Sequence, residues 1–153
     1  MRMLIIFLTL FIANILYAEN YTFLVQPYSK EMELEAKIIS EIATSSLHEE
    51  VKLFIPHMSE MEEKVYSQYF KLSPKCETSN FVFVNKTVEN ETLCDSTQRL
   101  FFTNNYRKLL ADNKYFGALF WNKSRPNIVF SKIRLEQKAI VLPKSFEQFI
   151  EGF

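Results

Sequence analysis

The chain has 153 residues, and its 18 Lys and Arg balance 18 Asp and Glu, so the formal net charge is zero. This length predicts one domain, and the balanced charge argues against nucleic-acid binding, because phosphate contacts need clustered positive charge. The two glycines are too few for a glycine-rich phosphate loop, which excludes nucleotide-binding motifs of that kind.

The first 18 residues have the pattern of a secretory signal peptide. Arg2 supplies a positive start, an apolar run follows from Leu4 to Ile12, and Ala18 ends the segment on a small residue. An uncleaved anchor is the alternative, although the run is shorter than the roughly 20 residues of a membrane span. We therefore predict a signal peptide at 1–18, a single domain at 19–153, and a periplasmic location.

Strands and helices alternate through the predicted domain. The segments rich in Phe, Val, Ile and Leu that predict strands are Tyr21–Val25, Val51–Ile55, Phe81–Val84 and Leu100–Thr103. A helix from about Glu31 to Leu47 is expected after Ser29 as its N-cap. A second helix, to about Phe70, is expected after Ser59, because Glu62 stands where a capping box needs it.

Two apolar runs, Ala118–Trp121 and Asn127–Phe130, predict an antiparallel hairpin with a five-residue loop at 122–126. Gly117 just before the hairpin indicates a backbone position without room for a side chain. A helical turn or two at 132–139 and a closing helix at 144–150 complete the expected order. The fold class that follows is α/β, a three-layer Rossmann-like domain with a mostly parallel sheet closed by the hairpin.

Two cysteines, Cys76 and Cys94, lie in the part predicted to be exported, where an even count favours a disulfide. Two free thiols, or a redox or metal pair, are the alternatives. The absence of a CxxC motif argues against thioredoxin-like redox chemistry.

Signatures of catalysis are scarce, so we predict no enzyme activity, no cofactor and no metal. His48 is expected in a solvated turn at a helix end. His57 with Met58 and Met61 is compatible with copper, but both methionines also fit the apolar stripe of the second helix.

The aromatic content is the main functional hint, because 15 Phe, 7 Tyr and one Trp exceed what a small core needs. Some should therefore be exposed and mark a protein contact. The candidate partner-binding residues are Trp121, Tyr66 and Phe70, with Arg125 as a loop anchor. The alternative for Trp121 is that it only covers the edge of the sheet.

The C-terminal third resembles the YfiR-like family of periplasmic proteins. The resemblance rests on LFFTNNYRKLL from Leu100, on Phe116–Phe120 and Asn127–Phe130, and on the run from Leu135 to Phe146. It implies a Rossmann-like domain without enzymatic activity that docks on the periplasmic part of an inner-membrane signalling enzyme. The family glycine pair is reduced here to Gly117, so the fold carries over better than the partner.

Together these patterns predict a non-catalytic periplasmic interaction module that docks on an envelope or inner-membrane protein with a periplasmic domain. It would act as a regulator in signalling or as a scaffold subunit, for example in the periplasmic disks of a flagellar motor. Homo- and hetero-oligomers both stay open. The alternative is a small-ligand or metal-binding receptor that uses the cleft at the carboxyl edge of the sheet.

Overall fold

The computed structural model describes residues 28–85, residue 94 and residues 97–153. The chain divides into two units between Lys30 and Glu31, and nearly all described residues belong to the second. The predicted signal peptide and the predicted strand Tyr21–Val25 lie outside the described residues. Within the described ranges, no helix combines the length and apolar character that crossing a bilayer requires.

The described elements form one mixed sheet with helices. Helices α1 to α4 span Tyr28–Ser46, Glu60–Tyr66, Tyr106–Ala111 and Lys132–Gln137. Strands β1 to β7 span Lys52–Phe54, Lys71–Leu72, Phe81–Val84, Leu100–Thr103, Tyr115–Asn122, Arg125–Ser131 and Ile150–Glu151. Two 3-10 helices span Cys76–Thr78 and Lys144–Phe149.

The seven strands lie in the order β2-β1-β3-β4-β5-β6-β7. All neighbours from β2 to β5 are parallel, β5 and β6 are antiparallel, and β7 is parallel to β6. The chain is therefore α/β with a mostly parallel sheet, as predicted.

Strand β3 is an interior strand, paired in parallel with β1 on one side and β4 on the other. Phe81 and Phe83 belong to the core cluster that contains the buried residues of α1 and α2. Val82 and Val84 belong to the cluster on the opposite face, with Leu109 of α3. Because both faces are covered, all four positions are apolar, which confirms the prediction of a central strand.

The two long helical predictions are confirmed in position, with corrections at their ends. Helix α1 begins at Tyr28, so Ser29 lies within its first turn and is not the N-cap. Helix α2 has the predicted capping box, since Ser59 Oγ accepts from the Glu62 N–H while the Glu62 carboxylate accepts from the Ser59 N–H. It ends at Tyr66, before the predicted limit, because the following residues tighten into i→i−3 turns that lead to β2.

The apolar face that α2 buries is also smaller than the predicted row of Met58, Met61, Val65 and Tyr69. Val65 is buried, whereas Met61 is 37% exposed and Met58 is only partly buried. A helix of seven residues presents fewer core positions than the longer helix that the pattern predicted.

The hairpin exists, but its predicted five-residue loop is wrong. Asn122 pairs with Arg125 and Trp121 pairs with Pro126, so only Lys123 and Ser124 form the turn. Both turn residues have positive φ, 49° and 59°. Positive φ at both central positions is the geometry of a type I′ turn, whose twist matches that of the two strands.

Gly117 occupies a position that has no room for a side chain, as predicted. A Cβ there would lie 2.7 Å from ring atoms of Phe102 and Phe130 and 2.9 Å from the carbonyl oxygen of Val129. Phe101 pairs with Tyr115 while Phe102 pairs with Gly117, so β5 contains one extra residue at Phe116. At such a β-bulge two successive residues, Phe116 and Gly117, face the same core cluster. The ring of Phe116 fills the space there, so residue 117 has to be glycine.

The predicted disulfide between Cys76 and Cys94 is present, with Cα atoms 5.7 Å apart. Cys76 is buried in the same cluster as Val82 and Val84, so the bridge packs directly against β3. It links the segment before β3 to the segment after it.

The sheet extends beyond the hairpin. The predicted closing helix is a 3-10 helix that stops at Phe149, and Ile150–Glu151 then pair with Phe130–Ser131 as β7. The hairpin therefore does not close the sheet, because this short strand lies outside it.

Candidate functional site

The carboxyl ends of the parallel strands form a step at one edge of the sheet. Strand β4 ends at Thr103, which pairs with Ala118, but β5 continues for four more residues to Asn122. At about 3.3 Å per residue, the outer half of the hairpin extends roughly 13 Å beyond the end of β4.

This step forms one wall of an open cleft, the hairpin cleft, with a volume of about 580 Å³. Its lining residues are Asn104, Asn105, Tyr106, Arg107, Phe120 and Trp121. Asn105 caps α3, because its side-chain oxygen accepts from the Arg107 N–H at 3.0 Å. The ring centroids of Tyr106 and Phe120 lie 5.4 Å apart. These two rings form the aromatic part of the lining, next to the polar residues at the start of α3.

A single carboxylate binds three elements together beside this cleft. Trp121 Nε1 donates to Glu35 Oε2 at 3.0 Å, and the Tyr66 hydroxyl donates to Glu35 Oε1 at 2.9 Å. We call Glu35, Tyr66 and Trp121 the Glu35 junction. It connects α1, α2 and β5 and holds the indole ring in one orientation.

The surroundings of Glu35 disfavour its charged form. Burial raises the pKa of this carboxyl above its ordinary value, and the nearby charges of Glu62 and Glu31 raise it further. The hydrogen bonds from Trp121 and Tyr66 act in the opposite direction without cancelling the rise. The carboxyl of Glu35 therefore holds its proton to a higher pH than an ordinary glutamate does.

Two asparagines follow directly after β3 and β4 at the same edge. Asn85 Nδ2 donates to the carboxylate of Glu62, while Oδ1 of Asn85 and Oδ1 of Asn104 are buried without a hydrogen-bond partner. A buried acceptor without a partner costs about 1–3 kcal/mol. Among the described residues, these two atoms are the unpaired buried side-chain polar atoms, and both lie at the carboxyl edge.

The structure separates the four predicted partner-binding residues into two pairs. Trp121 is partly exposed at the cleft, and Arg125 is exposed next to the turn. Tyr66 and Phe70 are 1% and 8% exposed, so the expectation that they lie on the surface is wrong. Tyr66 packs between Phe70 and Phe83, with ring centroids 6.1 and 6.0 Å apart, and its hydroxyl is bound to Glu35.

Most aromatic side chains of the described residues are buried in the core, so few of them are left for the exposed contact surface that the composition predicted. In the described part of the chain, the large hydrophobic residues that are well exposed are all aliphatic: Leu34, Met61, Leu110, Ile133 and Val141. Seven of the twelve largest fully buried side chains are Phe or Tyr. Tyr106, Phe120 and Trp121 are half-buried aromatic residues that stay partly accessible at the carboxyl edge.

The sequence predicts a short helix that begins at Asn104 or Asn105, which the structure confirms, but sequence reasoning missed Glu35 and the role of this helix in the cleft. A signal for Glu35 exists, because it stands four residues before Ile39 and seven before Ile42, on the buried stripe of α1. A carboxylate in such a position needs donors from elsewhere in the fold. No sequence pattern of this kind distinguishes Arg107 from other exposed cations of the chain.

A second cleft, of about 710 Å³, lies at the opposite edge of the sheet and has three cations in its lining: Arg99, Lys114 and Lys138. Arg99 donates to the carbonyl oxygens of Cys76 and Glu77, and Lys114 pairs with Asp112 at 3.0 Å. Burial lowers the pKa of Lys138. Arg99 and Lys114 thus already hold the disulfide segment and the start of β5.

No group of three or more His, Cys, Asp or Glu side chains suited to a metal ion occurs within residues 28–85, 94 and 97–153. No protein-family model, no curated protein and no solved structure matches the chain. The resemblance to the YfiR-like family therefore stays a prediction, and function has to be argued from the site.

Proposed function

We propose that this chain is a non-catalytic periplasmic module that docks on an envelope protein through the hairpin cleft and the adjoining turn. The observation that carries the proposal is the projecting outer half of β5 and β6, which presents Trp121 beside exposed Arg125. Trp and Arg are residue types that concentrate binding energy in protein interfaces.

The Glu35 junction supports this role because it fixes the tryptophan before any partner arrives. Trp121 is held by a hydrogen bond to a helix 86 residues away in sequence. A side chain that is already ordered loses less conformational entropy on binding, which favours affinity.

The compartment and the family relation are parts of the same proposal. The signal pattern at 1–18 and the Cys76–Cys94 disulfide favour an oxidising location, for which the periplasm is the best candidate. A Rossmann-like three-layer arrangement of the YfiR-like type agrees with the mostly parallel sheet. The partner would be an inner-membrane protein with a periplasmic domain, regulated by this chain, or another subunit of an assembly such as a flagellar motor disk.

A small-ligand receptor is the second candidate, and the hairpin cleft favours it. Its volume lies within the range of about 300–1,000 Å³ that is typical of ligand pockets, and Asn104 and Asn105 are polar residues of its lining. Native mass spectrometry of the purified protein tests this candidate, because a receptor carries or acquires a small ligand at a defined mass.

Site-specific photo-crosslinking in living cells tests the docking proposal. A photo-reactive residue at Lys123 or Arg125 is expected to capture a defined envelope protein. The same residue at exposed Lys132 or Lys144, which follow β6 away from the turn, should not capture it. Equal capture from all four positions, or none from the turn, would rule out docking at this surface.

A further inference from the structure

We propose that the group seated in the hairpin cleft is an extended acidic peptide segment of the partner that carries an apolar side chain. This inference rests on the docking function proposed above and adds the chemistry of the partner.

The charge on the α3 and turn side of the cleft is positive. From Asn113 to Leu135 the chain contains no Asp or Glu, and two cations of this stretch, Lys123 and Arg125, lie at the tip of the hairpin. Arg107 is the one charged residue of the cleft lining. Lys123 and Arg125 follow Trp121 by two and four residues, at the exposed turn.

These three cations have no carboxylate partner within the described part of the chain. Its ion pairs join Lys71 to Glu50 and Lys114 to Asp112, far from the turn in sequence. Arg107, Lys123 and Arg125 are all exposed, so their charges are available to a partner. An acidic ligand is the complement of this surface, and opposite charges also accelerate its encounter.

The aromatic wall indicates that the ligand contributes more than charge. Tyr106 and Phe120 are half-buried, line the cleft and have ring centroids 5.4 Å apart, whereas the indole of Trp121 is bound to Glu35 on the α1 side. An inorganic anion would leave these rings in water, whereas an apolar side chain between acidic residues would cover them. Asn104 and Asn105 also line the cleft, and a side-chain amide N–H group is suited to the carbonyl groups of an extended backbone.

The opposite side of Trp121 argues against a broad anionic surface such as a membrane. Trp121 contacts Glu35 of α1, and Glu31 and Glu33 of the same helix are exposed carboxylates. A flat anionic surface would meet these acids together with the cations. A narrow peptide on the α3 side of the hairpin meets the cations alone.

Selection from a library of random dodecamer peptides displayed on phage tests the proposal on the folded, disulfide-bonded protein. Peptides enriched on the wild type are expected to carry an excess of Asp and Glu around one or two apolar residues. Enrichment of basic or uncharged peptides, or no enrichment at all, would overturn the proposal.

Affinity for the selected peptides is then measured by the fluorescence of Trp121, the only tryptophan of the chain. Lys123→Glu combined with Arg125→Glu should weaken binding about tenfold or more, since like charges then face each other. Lys132→Glu combined with Lys144→Glu makes the same change in net charge at exposed positions after β6 and should leave affinity within about twofold. Equal losses in both pairs would contradict a local acidic contact.

The crosslinking experiment separates failure of this inference from failure of the docking function. A partner captured at Lys123, together with selected peptides that lack acids, leaves docking intact and overturns the acidic segment. A captured second copy of the chain, or sedimentation with phosphatidylglycerol vesicles that Lys123→Glu and Arg125→Glu abolish, also overturns it. Without any capture at the turn, the docking function itself fails.

Discussion

The inner and outer halves of the β5–β6 hairpin have opposite environments although the two strands are continuous. In the inner half, Phe116, Leu119 and Phe130 are fully buried, and Gly117 has no space for even a methyl group. In the outer half, Phe120 and Trp121 are half-buried and the turn is exposed. The difference arises because β4 ends at Thr103, so one pair of strands contributes first to the core and then to a projecting surface.

The largest expected effect lies in the inner half. Gly117→Ala should lower the free energy of unfolding by about 2–3 kcal/mol, because the new methyl group overlaps Phe102, Phe130 and a backbone carbonyl. Gly152→Ala is the matched control, since nothing lies within 4 Å of a Cβ there. Urea denaturation measures both variants, and equal stability of the two would show that the inner half is not tightly packed.

The next effect tests how firmly the outer half is held. Trp121→Phe removes the hydrogen bond to the Glu35 carboxylate and should cost about 1–2 kcal/mol. Tyr66→Phe removes the other donor to the same carboxylate and serves as the comparison. In a double-mutant cycle the two losses should be non-additive, because they share one acceptor. Strict additivity would indicate that the junction does not act as a unit.

A smaller effect concerns the pH dependence of stability. The pKa of Glu35 is raised in the folded protein, so its contribution is fully present below the ordinary value of 4.5 and is lost as pH rises through the folded value. The stability of the wild type relative to Glu35→Gln should therefore fall as the pH rises above 4.5. Glu33→Gln, which changes an exposed carboxylate of the same helix, is the matched control. A difference that rises with pH would contradict the predicted sign.

The smallest expected effect is at the turn. Ser124 has φ of 59°, a conformation that glycine adopts without the steric cost of a Cβ. Ser124→Gly should raise the free energy of unfolding by about 0.5 kcal/mol, given the preference of type I′ turns for glycine at this place. Ser124→Ala separates the loss of the hydroxyl from the change in backbone freedom and should not stabilise.

Local patterns were sufficient to predict much of the fold. The alternation of strands and helices, the capping box at Ser59, the central strand at Phe81–Val84 and the disulfide all follow from neighbouring residues or from composition. The turn was predicted too long because Lys123 and Ser124 lack the Asn-Gly signal of a two-residue turn. Strands β2 and β7 have two residues each, too few for an alternating pattern.

The candidate site was less predictable because it depends on contacts between distant segments. Trp121 and Arg125 could be singled out as an aromatic and a cation near a turn. The burial of Tyr66 and Phe70 follows from the way α2 ends and packs on Phe83, which helical spacing alone does not show. The link between Glu35 and Trp121 joins residues 86 positions apart, and no local pattern reports it.

The bulge at Phe116 has a consequence for how this chain could vary among its descendants. In-frame loss of the Gly117 codon would leave Phe116 opposite Phe102 and keep every later side chain of β5 on its present face. Because Ala118 would still pair with Thr103, the outer half of the hairpin would keep its position, and the indole of Trp121 would stay beside Glu35. Loss of this codon would therefore remove the bulge and leave both the reach of the hairpin and its inside–outside pattern intact.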